Sequence, residues 1–172
     1  MLSNLQFERS AQQYRVLDPQ TGEAEYFPKG HSGRREAMRR AVYYQSERLH
    51  RIVIELVRRH HHVESRAWKA AELMLNGAVK RADGDAMASI SGSSAYGDYL
   101  IAANGGLLVC DCLDYMNGNA PYIGKSGQRL CKHILALQFS RRLQYRFCGS
   151  CDRKVDAKLM LCIFCDGPVH PY

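Results

Sequence analysis

Polar and apolar positions alternate in two short runs between Ala11 and Phe27, AQQYRVLDPQTGEAEYF, on either side of a turn from Pro19 to Gly22. Alternation with period two around a Pro/Gly turn predicts a β-hairpin. The period then changes. From Met38 onward Ala41, Val42, Leu49, Ile52, Val53 and Leu56 recur at i, i+3, i+4 spacing, which predicts one long helix with Ser32 as its cap. Its apolar face is expected to pack on the hairpin and on the segments that follow. A second helical stretch, RAWKAAELMLNGAVKRA, carries Trp68, Ala71, Leu75 and Val79 on one face, a core pattern. Three strand-like runs come next, AMASISGSS, GDYLIAA and GLLVCDC, the last two joined by an Asn104-Gly105-Gly106 turn. Residues 113–130 have loop composition, rich in Asn, Gly and Pro. A last helix is predicted for HILALQFSRRLQYR from the spacing of Leu135, Phe139 and Leu143.

Cysteine enters only in the second half of this pattern, and always in pairs. The seven cysteines and one histidine group as Cys110 with Cys112, Cys131 with His133, Cys148 with Cys151, and Cys162 with Cys165. Eight ligands suffice for two closed tetrahedral zinc sites, one of three cysteines and a histidine and one of four cysteines. Such sites leave no coordination position for water or substrate, so their metals are structural. An odd number of cysteines argues against a disulfide framework and for a reducing, intracellular setting, cytoplasmic or nuclear.

In the first set, alternation along the strand puts Cys110 and Cys112 on one side, and Cys131 and His133 open a helix, so two pairs can converge on one ion. C-x-C, eighteen residues (113–130), then C-x-H is tighter than most finger spacings. The pattern resembles the SWIM zinc finger. CDCLDY is similar to that family's C-x-C-x-D followed by an aromatic, here Asp114 and Tyr115, and CKHILAL to its helix start; the match covers roughly residues 66 to 143. The resemblance implies a DNA-binding or protein-interaction element. The ATPase and transposase domains that often accompany such fingers are not found beside it, so the family's range guides function only weakly.

The second set, C-x-x-C, ten residues, C-x-x-C within FCGSC and LCIFCDG, is standard zinc spacing and looks like a small zinc ribbon. Taken together the eight ligands also follow the order of a RING domain, but the fourteen residues between His133 and Cys148 are far too many for interleaved sites. His170 is a spare histidine beside a set already complete, and His60-His61-His62 read as an ordinary polar helix end.

Charge sharpens the functional reading. The chain has 172 residues and a formal charge of +7. Seven thiolates and two zinc ions change that by −7 + 4 = −3, leaving roughly +4, still suited to a polyanionic partner. Arg40, Arg48, Arg51 and Arg58 fall on one arc of the long helix and are expected to track a phosphate backbone; Lys132, Arg141, Arg142, Arg146, Arg153 and Lys154 form a second basic group around the metal sites. Glu47 and Glu55 dilute the helix stripe, so a plain solvated face is the competing reading. No phosphate-binding glycine loop, dinucleotide fingerprint or H-E-x-x-H occurs, and Ser91, Ser93 and Ser94 have no base placed beside them, which gives no candidate for catalysis. No run reaches the length of a membrane span.

The sequence therefore predicts an α+β protein of small zinc-stabilised modules: a hairpin and long basic helix over 1–65, a SWIM-like finger over 66–145 and a zinc ribbon over 146–172. The expected function is that of a non-enzymatic nucleic-acid-binding accessory protein, DNA in the first instance. The alternative is an adaptor subunit of a larger nucleic-acid-processing complex, and a ubiquitin-ligase-like module stands last. Neither a membrane nor a small-molecule substrate is expected as a partner.

Overall fold

The computed structural model describes residues 7–9, 12–18, 20–80, 86–91, 97–124, 127–143, 145–147 and 154–156. They form the expected α+β architecture of helices with small antiparallel sheets.

The predicted hairpin pairs β2 (Gln13–Leu17) with β3 (Ala24–Pro28), in the register Tyr14 to Phe27 and Val16 to Glu25. A further strand, β1 (Phe7–Arg9), adds to the free edge of β2; three residues are too few to show a period. Tyr14 and Val16 lie on the inner face of β2 and pack with Ala37 and Ala41 of helix α1 (His31–Gln45) in a small core of their own.

The long helix of the sequence reading is two helices. α1 ends where Ser46 turns extended (φ −159°, ψ 91°), and α2 (Glu47–Arg59) begins there. Ser46 serves both ends. Its N–H donates to the Val42 carbonyl at 2.9 Å, and its hydroxyl accepts from the Leu49 N–H at 3.2 Å. The break is silent in the periodicity because Val42 and Leu49 are seven residues apart and both face the core. Ser32 is not a cap: α1 starts after Gly30, whose carbonyl accepts from the Arg34 N–H at 3.0 Å, and this places Ser32 inside the first turn.

A single 3-10 turn (His61–Val63) leads into α3 (Glu64–Leu75). α3 stops earlier than its apolar face suggested. The Gly77 N–H donates to Met74 O at 3.1 Å and the Ala78 N–H to Leu73 O at 2.9 Å, with Gly77 at φ 67°. This is a Schellman stop, which needs a residue at ease with positive φ. Val79 consequently opens strand β4 (Val79–Lys80) instead of extending the helix.

β4 pairs with β5 (Ala86–Ile90), β5 with β6 (Tyr99–Asn104), and β6 with β7 (Leu107–Cys110), giving the sheet order β4-β5-β6-β7. The Gly105-Gly106 turn joins β6 to β7 as its sequence predicts, with Asn104 opposite Leu107. The region read as loop contains a four-residue helix α4 (Leu113–Met116) and a short ribbon of β8 (Tyr122–Ile123) and β9 (Gln128–Arg129). The Gln128 carboxamide bonds both backbone groups of Leu108, accepting from its N–H and donating to its carbonyl at 2.8 Å each, and so covers the open edge of β7.

α5 (Lys132–Leu143) runs along α3, and this pairing is the most extensive between helices. Ala67, Ala70 and Ala71 on α3 and Ala136 on α5 are fully buried, small enough to let the two backbones come close. One continuous core joins Met38 and Val42 of α1, Leu49 and Val53 of α2, Trp68 of α3, Ile90 and Ile101 of the sheet, and Ile134 and Phe139 of α5. Beyond α5, strands β10 (Tyr145–Phe147) and β11 (Lys154–Asp156) pair antiparallel on either side of the Cys148–Cys151 segment. No helix among the described residues is long and apolar enough to cross a membrane.

Candidate metal centre

Three elements of the main core each deliver a ligand to one point. Cys110 is the last residue of β7, Cys112 sits at the N-cap of α4, and Cys131 and His133 lie at the start of α5. Only Cys110 is held by the strand; Asp111 turns the chain so that Cys112 reaches the same point from the helix start. Asp111 keeps this turn on the sheet, its carboxylate accepting from the Leu100 N–H at 3.0 Å.

All four side chains are buried, and their ligand atoms lie within 4.8 Å of one another, an arrangement that could hold a metal ion. Cys110 Sγ stands 3.7 Å from His133 Nδ1. Zn–S and Zn–N bonds at a tetrahedral angle require about 3.6 Å between such atoms, so the donor set and its spacing fit zinc. The imidazole is fixed by stacking on Tyr99, with centroids 4.4 Å apart and planes at 26°. Its Nε2 is buried and has no hydrogen-bond partner among the described residues, so Tyr99 and the surrounding core orient the ring in place of the usual carbonyl or carboxylate.

The local electrostatics favour thiolate at Cys112 and oppose it at Cys110 and, on balance, at Cys131, where one backbone amide works the other way. Cys131 precedes α5, its carbonyl accepting from the Leu135 N–H at 3.1 Å and its sulfur facing the Ile134 N–H at 3.5 Å. An amide aimed at sulfur from a helix start stabilises the anion. Hydrogen bonds from Cys110 and then Cys131 hold the Cys112 thiol far below the ordinary range, while hydrogen bonding to Cys112 and burial push Cys110 well above it. A zinc ion held here would take all three sulfurs as thiolates, so its binding would release protons.

Asp114, singled out in the C-x-C-x-D pattern, has a clear role. Its carboxylate takes a two-pronged ion pair from Arg66 of α3, Nε to Oδ2 at 3.0 Å and Nη2 to Oδ1 at 2.8 Å, and Arg66 also donates to the Asn119 carbonyl at 3.0 Å. The contact ties the segment after Cys112 to the core helix. Sequence reading missed Arg66 because its partner is 48 residues away. Both side chains are about one-third exposed. Asp114→Asn should therefore destabilise the fold by about 1–2 kcal/mol, between the values for exposed and buried pairs. Chemical denaturation checks this, and Arg66→Met combined with Asp114→Asn should cost little more than either change alone.

The basic residues are dispersed. Arg40 lies on α1, bonded to Glu25 at 3.0 Å with its guanidinium over the Tyr44 ring, whereas Arg48, Arg51 and Arg58 lie on α2. The break at Ser46 accounts for this separation. Arg48 donates to the carbonyls of Leu143 (3.3 Å) and Arg142 (3.2 Å) and closes the C-terminus of α5, and Arg51 pairs with Glu47 at 2.5 Å. Among the described residues Arg58 and Arg142 have no carboxylate partner. Lys132 is half-buried at the start of α5, and Arg141 reaches the Met87 sulfur at 3.6 Å. Arg146 and Lys154 fall on β10 and β11; Arg153, Cys148, Cys151, Cys162 and Cys165 lie outside the described residues.

The centre rests on its own geometry. Compared with known proteins, the chain matches no protein-family model, no curated protein and no solved structure.

Proposed function

We propose that this chain is a SWIM-like zinc protein that binds nucleic acid, DNA in the first instance, and carries out no chemistry of its own. The observation that carries the reading is the closed, buried set Cys110, Cys112, Cys131 and His133. Four protein ligands complete a tetrahedron, so the ion holds strand, finger loop and helix together and has no open position for a substrate. A second zinc at Cys148, Cys151, Cys162 and Cys165 belongs to the same reading, as does a three-part division into hairpin with helices, finger and ribbon. The positive charge supplies the partner: roughly +4 remains after both ions and all thiolates are counted.

Titration of labelled DNA across salt tests the proposal. Log affinity should fall linearly with log salt, by about 0.9 per phosphate contact on duplex. Neutralising Arg141 together with Arg142 should weaken all base sequences alike. Binding that ignores salt, or no binding at any salt, would sink the idea. One observation favours an adaptor instead: Leu113 and Met116 on α4, next to the metal centre, are each 67% exposed. A stoichiometric protein partner on purification, with no intrinsic affinity for nucleic acid, would support that second reading.

A further inference from the structure

Two open clefts adjoin each other along α2 and share the Glu55–Arg59 ion pair. The larger, about 440 Å³, lies between the C-terminal half of α2, the β8–β9 ribbon and the last turns of α5. Its apolar lining comes from Leu56 and Ile123, with the nearly buried Leu130 and Phe139 beneath, and its charged lining from Arg59, Arg141 and Arg142. The smaller, about 370 Å³, continues along α2 and adds Arg51 and Arg58. Among the described residues these five arginines face Glu55 and the Glu47 that pairs with Arg51, a surplus of 5 − 2 = 3 positive charges. Arg48 takes no part in the lining; its bonds to the carbonyls of Arg142 and Leu143 hold the end of α5 against α2 and so set the width between the two helices.

We propose that this groove binds single-stranded nucleic acid, an inference that rests on the nucleic-acid reading above and assigns it a surface and a strand state. A duplex presents phosphates on its outside and keeps its base faces stacked, so an apolar lining adds nothing to its binding. An unpaired strand offers both chemistries at once. Its phosphates meet the lining arginines, and a base face covers the apolar lining. Arg59 and Arg142 are the residues on which this arrangement depends most: they come from helices more than eighty residues apart and meet across one cleft.

Fluorescence anisotropy of the zinc-loaded full chain with a labelled oligothymidylate, and with a duplex of equal length, tests the assignment. The single strand is expected to bind more tightly. Arg141→Gln with Arg142→Gln should lower the salt slope for the single strand by about 1.4, at ~0.7 for each lost phosphate contact. Ile123→Ser alters the apolar lining alone and should weaken binding several-fold at an unchanged slope. Arg34→Gln, exposed on α1 and outside both clefts, should leave affinity unchanged, and thermal melts of each variant confirm that the fold is intact. Equal or tighter binding of duplex, indifference to the groove variants, or an equal loss from Arg34→Gln overturns the groove and leaves the broader nucleic-acid reading standing. No binding of either probe at any salt overturns both.

Discussion

Removing zinc is expected to abolish the cooperative thermal unfolding transition of this protein. The four candidate ligands of the first site are among the most buried of the described residues, with Cys110 and Cys112 2% exposed, Cys131 0% and His133 3%, and the three cysteines belong to the core that joins α1, α2, α3, the sheet and α5. A structural zinc ion contributes about 10–16 kcal/mol, as much as or more than the 5–15 kcal/mol by which whole domains are stable. Chelation leaves three sulfurs and an imidazole crowded at one buried point. Circular dichroism melts with and without a strong chelator provide the measurement, and Cys131→Ser should reproduce the chelated state without chelator. Elemental analysis should return two zinc ions per chain, falling to one when Cys131 is replaced. Because the ligands bind metal only as thiolate and neutral imidazole, acid should release the ion as well. A metal-free protein that melts cooperatively at the same temperature would refute the structural role.

Gly33→Ala should destabilise the protein by about 3 kcal/mol, against the usual trend for such changes. Replacing glycine by alanine inside a helix ordinarily stabilises by about 1 kcal/mol. Here the new Cβ would stand 1.7 Å from the carbonyl oxygen of Pro28 and 2.8 Å from its carbonyl carbon. Those are backbone atoms at the end of β3 and have no rotamer with which to yield, so either the helix start or the strand end must shift. The cost falls at the upper end of that for overpacking, and in a chain of this size lowers the melting temperature by roughly 10 °C. It also loosens the seat of Tyr14 and Val16 on Ala37 and Ala41. A neutral or stabilising result in urea denaturation would show that β3 and α1 do not meet this closely.

Much of the architecture was legible in the chain because it is encoded locally. Hydrophobic period identified the β2–β3 hairpin, strands β5, β6 and β7 and α5, and ligand spacing identified the buried Cys110, Cys112, Cys131 and His133 group. C-x-C and C-x-H each bring two donors together within a few residues, so chemistry and geometry coincide at short range. Helix ends were less visible. The break at Ser46 and the stop at Gly77 depend on two hydrogen bonds each and on one positive φ, features that leave the apolar repeat nearly untouched.

Tertiary structure decided what the charges do. By composition Arg40, Arg48, Arg51 and Arg58 form one stripe; in space the first is held by Glu25, the second closes α5, the third pairs with Glu47, and Arg58 remains without a carboxylate among the described residues. Arg66 lies in an apolar helix with no hint of Asp114 nearby, yet the two meet across the finger. A sulfur ligand in a C-x-C pair finds its partner two residues away, whereas a guanidinium at the end of a flexible stem finds whichever carboxylate or carbonyl the packing of other helices delivers. Ligand pairs are therefore properties of the sequence here, and the roles of the arginines are properties of the fold.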